Sequence, residues 1–320
     1  EENSYLINRM SDKYIELHQL GKGSYGTVFQ VREKSNRGKK WCMKKINLKG
    51  LQPKERQAAF LEGKLLRELR HPHVVSFHDS FVNRATNHLC LVMTFCEGGD
   101  LHRKVQERKK NNTSFSEGRV VGWLLQITLA LQYIHERHNI IHRDLKTQNV
   151  FLLEDGNTIK LGDFGVSRVL DKPTDLARTC VGTPFYMCPE LMRKQRYSNK
   201  ADMWALGCVL YELTTLRHAF DAQDMHGLAM KIVRGKYPPI PSSYTKDLSK
   251  ICAELLHTTP SSRPSAGALL MRPLMQGAMQ KHAETAAAAN LAFCAEPEEP
   301  PAKPPARPPE PPARPPPPPP

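Results

Sequence analysis

The stretch HRDLKTQN, residues 142–149, sets an aspartate, a lysine and an asparagine at positions 144, 146 and 149. Asp144 can accept the proton of an attacking hydroxyl, Lys146 can neutralise a phosphoryl group in transit, and Asn149 can offer an oxygen to a metal ion. A second metal-binding carboxylate follows in DFG, at Asp163. Upstream, GKGSYGTV places Gly21, Lys22, Gly23 and Gly26 where small residues let backbone N–H groups approach phosphate oxygens. Lys44 and Glu62 then stand at a spacing that lets a carboxylate hold an ammonium against α- and β-phosphates. A glycine hairpin with no ligand, or a surface ion pair, would look the same taken singly. All the parts in this order point to phosphoryl transfer.

These groups need a scaffold, and the hydrophobic pattern supplies one. YIELHQLGKGSYGTVFQVRE reads as two alternating segments around a glycine turn, KKWCMKKINL as a third strand, and PKERQAAFLEGKLLRELR as a helix with proline near its start. HVVSFHDSFV and HLCLVMTF read as two further strands. From Asp100 onward helical periodicity dominates, most clearly in GRVVGWLLQITLALQYIHERH and ADMWALGCVLYELTTL. The expectation is an α+β fold, with a small β-rich lobe carrying one helix and a larger helical lobe behind it. The boundaries fall at 14–93 for the first lobe, 94–99 for the hinge and 100–277 for the second, with an extension over 1–13.

Composition narrows the classes. The chain has 320 residues, 40% of them hydrophobic, enough for a substantial core. Its eight cysteines include no CxxC pair, which favours reduced thiols, and HERH lacks the i, i+4 histidine pair of a zinc helix. No apolar run approaches the ~20 residues of a membrane span, so the chain is expected to be soluble with no membrane partner. The net charge is +14, concentrated in REKSNRGKK, RKVQERKK and RKQR. These clusters lack interleaved aromatics and match no nucleic-acid motif, so they are read as solvated faces with attraction for acidic partners. Residues 278–320 turn alanine- and then proline-rich, holding more than half of the 26 prolines, and are expected to be a disordered, polyproline-II-like tail. Within it, 309–320 offers PxxPxR and RxxPxxP patterns that fit an SH3-type partner. The first residue is Glu rather than Met, and the sequence reads as a fragment.

FCEGGDL, HRDLKTQNVFL, LGDFGVSRVL, ARTCVGTPFYMCPE and KADMWALGCVLYELTTLRHAF together resemble the NIMA-related kinases, a family of serine/threonine protein kinases. The resemblance spans the whole of 14–277 and implies ATP and Mg²⁺ as cofactors and serine or threonine of proteins as acceptor. By the family pattern, Gly21, Lys22, Gly23 and Gly26 cover the phosphates and Val28 packs on adenine. Met93 is the gatekeeper, the backbone of Thr94 and Cys96 reads adenine, and Asp100 reaches the ribose. Asn149 and Asp163 hold the metal, Asp202 braces the catalytic loop, and Arg263 pairs with Glu190.

Arg143 captures a phosphate on the activation loop, Thr179 is the phosphorylated switch, Thr183 contacts Asp144 and Lys146, and Tyr186 lines the substrate cleft. Cys188 stands where relatives carry Ala, a conservative change. Gln148 is not the acid of arginine-selecting kinases, and Val166 leans toward threonine. The resemblance further implies cytoplasmic work near centrosome, basal body, cilium or nucleus. The rival reading is a pseudokinase scaffold, which typically lacks one of Lys44, Asp144, Asn149 and Asp163; all four are present. Gly63 inside the helix of Glu62 costs about 1 kcal/mol against Ala, so that helix is expected to be easily displaced.

Overall fold

Alternating apolar residues on five short segments must bury one face, and they do so as one antiparallel sheet. The computed structural model describes residues 13–23, 26–36, 38–163, 184–195 and 198–295. Strands β1 (Tyr14–Gly23), β2 (Gly26–Glu33), β3 (Lys40–Asn47), β4 (Phe77–Asn83) and β5 (His88–Thr94) pair in the order β1-β2-β3-β5-β4. One face of the sheet closes over a small cluster of Tyr14, Val31, Trp41, Met43, Phe81, Cys90 and Val92. The other face, with Ile46, Leu89 and Leu91, joins the main core. Helix α1 (Pro53–Glu68) packs on that second face. Proline opens it and the Glu55 carboxylate accepts from the Gln52 N–H at 2.8 Å, which satisfies a donor that the first turn leaves over.

The helical lobe holds α2 (Leu101–Lys110), α3 (Glu117–Gln132), α4 (Pro189–Met192), α5 (Asn199–Thr215), α6 (Met225–Arg234), α7 (Lys246–Leu255) and α8 (Ala266–Leu270). A two-stranded ribbon of β6 (Val150–Leu152) and β7 (Ile159–Leu161) lies between α3 and α4 in sequence. Helix α5 is buried on almost every side from Ala201 to Thr214, so it forms the centre of the lobe. The long helical pattern through residue 138 divides in space: α3 stops at Gln132 and a π turn takes Tyr133–Arg137.

Helix α9 runs Pro273–Ala295, so the boundary drawn at 277 falls inside a helix rather than at its end. Residues 1–280 form one compact unit and 281–320 another. The proline-rich part of the second lies outside the described residues. No helix among the described residues is long and apolar enough to cross a membrane.

One buried ion pair ties α4 to the loop before α8. Arg263, 1% exposed, donates from Nη1 to Glu190 Oε1 at 2.7 Å and from Nη2 to Oε2 at 2.8 Å. Its remaining donors reach the Lys200 carbonyl at 2.8 Å and the His257 carbonyl at 2.7 Å. Burial alone would push the Glu190 carboxyl up; the guanidinium outweighs it and holds the pKa below the usual range. Arg263→Ala would leave a buried carboxylate uncompensated, and we expect a loss of about 3–5 kcal/mol in urea unfolding. A loss under about 1 kcal/mol would place the pair with weak surface bridges.

Candidate active site

Register brings the first half of the site together. Val28 faces Lys44 across β2 and β3, and Lys44 faces Leu91 across β3 and β5. Alternation sets Lys44 on the face of Ile46, toward α1, and the buried side of α1 carries Glu62. The Lys44 Nζ donates to Glu62 Oε1 at 2.8 Å and to Asp163 Oδ1 at 2.9 Å. Burial alone would favour a neutral amine; the two carboxylates outweigh it, raise the pKa and keep the group an ammonium. In return, the Lys44 charge holds the Asp163 carboxyl below its usual range. Asp163 lies in the left-handed region at φ 54° and Arg143 at φ 68°, conformations costly for side chains with a Cβ and concentrated at working sites.

The catalytic loop is held from below. Asp202, fully buried on α5, accepts the His142 N–H at 2.7 Å, the Arg143 N–H at 3.0 Å and the His135 ring at 2.8 Å. Burial would raise its carboxyl; these donors outweigh it and lower the pKa. His142 is buried too, which lowers its pKa and keeps the ring neutral. Its Nδ1 accepts the Asp144 N–H at 3.3 Å, so Nε2 carries the proton and donates to the Gly162 carbonyl at 3.1 Å.

Above this floor the Lys146 ammonium lies 2.9 Å from Asp144 Oδ2. The Asn149 amide nitrogen donates to the Asp144 carbonyl at 2.7 Å and to its Oδ2 at 3.0 Å. With the nitrogen so engaged, the amide oxygen is the end left for a cation. The Gly162 N–H donates to the Asn149 carbonyl at 3.0 Å, which couples this loop to the residue before Asp163.

Gly21, Lys22 and Gly23 end β1, and Gly23 faces Gly26 at the start of β2. A Cβ on Gly26 would come within 2.1 Å of the Lys45 carbonyl, so only glycine fits there. Met93 pairs with Cys42 between β5 and β3, and burial pushes the Cys42 thiol up to about 12. In the hinge, the Thr94 N–H donates to the Ser76 carbonyl at 3.0 Å and the Cys96 carbonyl accepts from Gly99 at 3.4 Å. That leaves the Thr94 carbonyl and the Cys96 N–H as the hinge groups to read a base edge. The Asp100 carboxylate, expected at a ribose, caps α2 by accepting the Arg103 N–H at 2.8 Å.

A further hub was not foreseen. Glu212, 2% exposed on α5, accepts from the Tyr186 hydroxyl and from Thr147 Oγ1 at 3.2 Å. Thr147 Oγ1 and the Tyr186 hydroxyl are themselves 3.0 Å apart. The hub therefore fixes the segment after Pro184 to the catalytic loop. Its one sequence signal is a glutamate inside the apolar run ADMWALGCVLYELTTL, where a charge must be partnered if the helix is buried. Beside Tyr186, burial raises the Cys188 pKa and leaves the thiol inert. Thr179, Thr183, Val166, Cys180 and the last two residues of DFG lie outside the described residues.

A five-stranded lobe, a helical lobe and a Lys–Glu–Asp cluster above an HRD loop are the architecture of the protein kinase class. The chain belongs to the protein kinase family, whose domain model, described as "Protein kinase domain", matches residues 14–275. Among curated relatives it is 45% identical over 263 residues to serine/threonine-protein kinase Nek4 of Mus musculus, covering 82% of this chain and 32% of that one. It is 41% identical over 270 residues to serine/threonine-protein kinase Nek1 of Mus musculus, covering 84% and 22%. It is 45% identical over 267 residues to probable serine/threonine-protein kinase nek3 of Dictyostelium discoideum, covering 82% and 23%. The motif resemblance to the NIMA-related kinases is thus shown. The chain spans about a third or less of the length of these relatives.

Gly63 has a packing reason. A Cβ there would meet Leu91 Cδ2 at 3.0 Å, and Leu91 is fully buried. Glycine lets α1 lie close on β5 and so brings Glu62 to Lys44. The gain of about 1 kcal/mol in helix propensity from Gly63→Ala is therefore offset by this crowding. We expect the melting temperature of the variant to stay level or fall; a clear rise would mean that Leu91 yields freely.

Proposed function

We propose that the chain transfers the γ-phosphoryl group of Mg-ATP to serine or threonine hydroxyls of protein substrates. The observation that carries this reading is the convergence of two hydrogen-bonded sets, Lys44 with Glu62 and Asp163, and Asp144 with Lys146 and Asn149, drawn from β3, α1, the turn after β7 and the catalytic loop and coupled by the Gly162 N–H bond to the Asn149 carbonyl. The residues fit the cofactor. Asp163 and Asn149 present hard oxygen donors of the kind Mg²⁺ takes. The Thr94 carbonyl and the Cys96 N–H match the donor and acceptor of an adenine edge.

Bound Mg-ATP would supply the phosphoryl group and the cation charge that offsets its oxygens. Lys44 holds its ammonium in place for the α- and β-phosphates, and Glu62 keeps it from collapsing wholly onto Asp163. Asp144 orients the acceptor hydroxyl and takes its proton. Lys146 sets a positive charge beside Asp144, where negative charge develops on transfer. None of these residues is missing, so no observation favours the scaffold reading. Regulation follows the same logic: Arg143 receives a phosphate on Thr179, and charge-assisted contacts order the loop.

Asp144→Asn should lower kcat by about 10²–10⁴-fold with little change in ATP affinity, measured by γ-phosphate transfer with and without Mg²⁺ and by nucleotide titration. Unchanged turnover would sink the assignment. Thr179→Ala should lower basal activity, and mass spectrometry of active protein should find Thr179 phosphorylated. An active variant together with an unmodified threonine would remove it as the switch.

A further inference from the structure

Four rings form a chain of contacts where the loop between α1 and β4 meets the helical lobe. His71 stacks on Tyr133 with centroids 4.9 Å apart and planes 22° apart, and stands edge-on to His73 at 5.6 Å. His138 stands edge-on to Tyr133 at 4.7 Å. Tyr133 opens the π turn that follows α3, and its hydroxyl accepts the Arg70 N–H at 2.8 Å. Main-chain bonds extend the attachment: the Leu161 N–H on β7 donates to the His73 carbonyl at 2.9 Å, and the Val75 N–H donates back to the Leu161 carbonyl at 2.9 Å. The loop is thus seated on the helical lobe, yet it begins where α1 ends, at Glu68. What holds the loop also sets where α1 comes to rest with Glu62.

Within this seat the half-buried His71 ring accepts the His73 N–H at Nδ1, at 3.1 Å, so its proton sits on Nε2. A second proton, at Nδ1, would turn that acceptor into a donor facing a donor. Burial and the Lys160 ammonium on β7 both hold the pKa of the ring below the usual imidazole range. The other titratable and charged groups around it are Tyr133 and His138 from the turn after α3, and Arg70 and His73 from its own loop. None of these is a carboxylate that would favour the imidazolium. We propose that His71 is a proton switch at the seat of α1: neutral, it fastens the loop to the helical lobe, and protonated, it releases the loop and lets Glu62 draw away from Lys44. The effect on turnover rests on the kinase reading above; the effect on the loop does not. The unfolded chain takes up this proton near about pH 6.5 and the folded ring only at lower pH. The native seat is therefore fully favoured above that value and loses stability as pH falls through it.

The test follows amide hydrogen exchange of the full chain from about pH 7.5 to about pH 5.5, corrected for the intrinsic pH dependence of exchange, alongside γ-phosphate transfer. In the wild type, protection over 69–76 and over α1 should fall on acidification, and transfer should fall with it. His71→Asn keeps an oxygen to accept the His73 N–H but does not titrate, so its protection and transfer should stay level. The His71 ring itself, followed by NMR in the wild type, should titrate below the usual range and in step with the lost protection, which decides the matter even if the variant fails to fold. Lys160→Gln removes the neighbouring charge and should move the whole curve to higher pH. Protection that stays level in the wild type, a loss that His71→Asn shares, or a ring that titrates apart from the loss each overturns the proposal. A loop that opens on acidification in a chain with no transfer at any pH would leave the switch standing and remove the kinase reading. Transfer that Asp144→Asn abolishes, with a loop indifferent to pH, would do the reverse.

Discussion

A carboxylate with no access to water is held in place by the donors around it, and Asp202 is such a group. Taking it out of solvent costs several kcal/mol unless charge-assisted hydrogen bonds replace the lost water. Two of its donors are backbone N–H groups of residues 142 and 143, so the catalytic loop cannot shift without exposing the charge to an unpaired state. The left-handed backbone at Arg143 is tolerable for the same reason: the strain is held by a bond that is dearer to break. Asp144 inherits its position from this arrangement, through His142 Nδ1 as well as through the chain.

The upper half of the site is built on a different principle. Lys44 is shared by carboxylates on α1 and after β7, and each sits on an element that packs separately. The Asp163 side chain is 45% exposed, against 2% for Glu190 in the structural pair with Arg263. Glu190 meets a planar fork with every donor used, a geometry with one solution. Lys44 offers a point charge on a flexible stem, which tolerates partners at changing distances. The floor is thus tied by backbone bonds to a buried carboxylate, the roof by one ammonium shared between two elements, and Gly63 sets how close α1 lies to β5.

The sequence made the lobes legible because strand alternation and helical period are local signals, and the kinase motifs are local as well. Lys44 with Glu62 could be paired in advance because their order along the chain fixes their roles. Asp100 illustrates the limit: spacing places an acid just before a helix, but cannot say that one of its two oxygens takes the Arg103 N–H as an N-cap beside the role expected for it at a ribose. Alanine-rich AETAAAAN was read with the tail, yet alanine is the strongest helix former, and α9 continues through it. The Glu212 hub drew on residues from three stretches of chain, with no spacing that marks them as neighbours. Only a second acid in a largely apolar helix, beyond Asp202, hinted at it.

Asp202 and Glu212 stand on one helix, about 15 Å apart along its axis by the helical rise. The first accepts backbone N–H groups and so fixes where the catalytic loop runs. The second accepts side-chain hydroxyls from that loop and from Tyr186, and so fixes where the end of the activation segment lies relative to it. An apolar helix buried on nearly all sides has almost no freedom to rotate, because turning it would bury the two charges away from their partners. Burial of α5 in the core and registration of the catalytic loop with the substrate-facing segment are therefore one constraint, carried by two carboxylates that the helix could not otherwise accommodate.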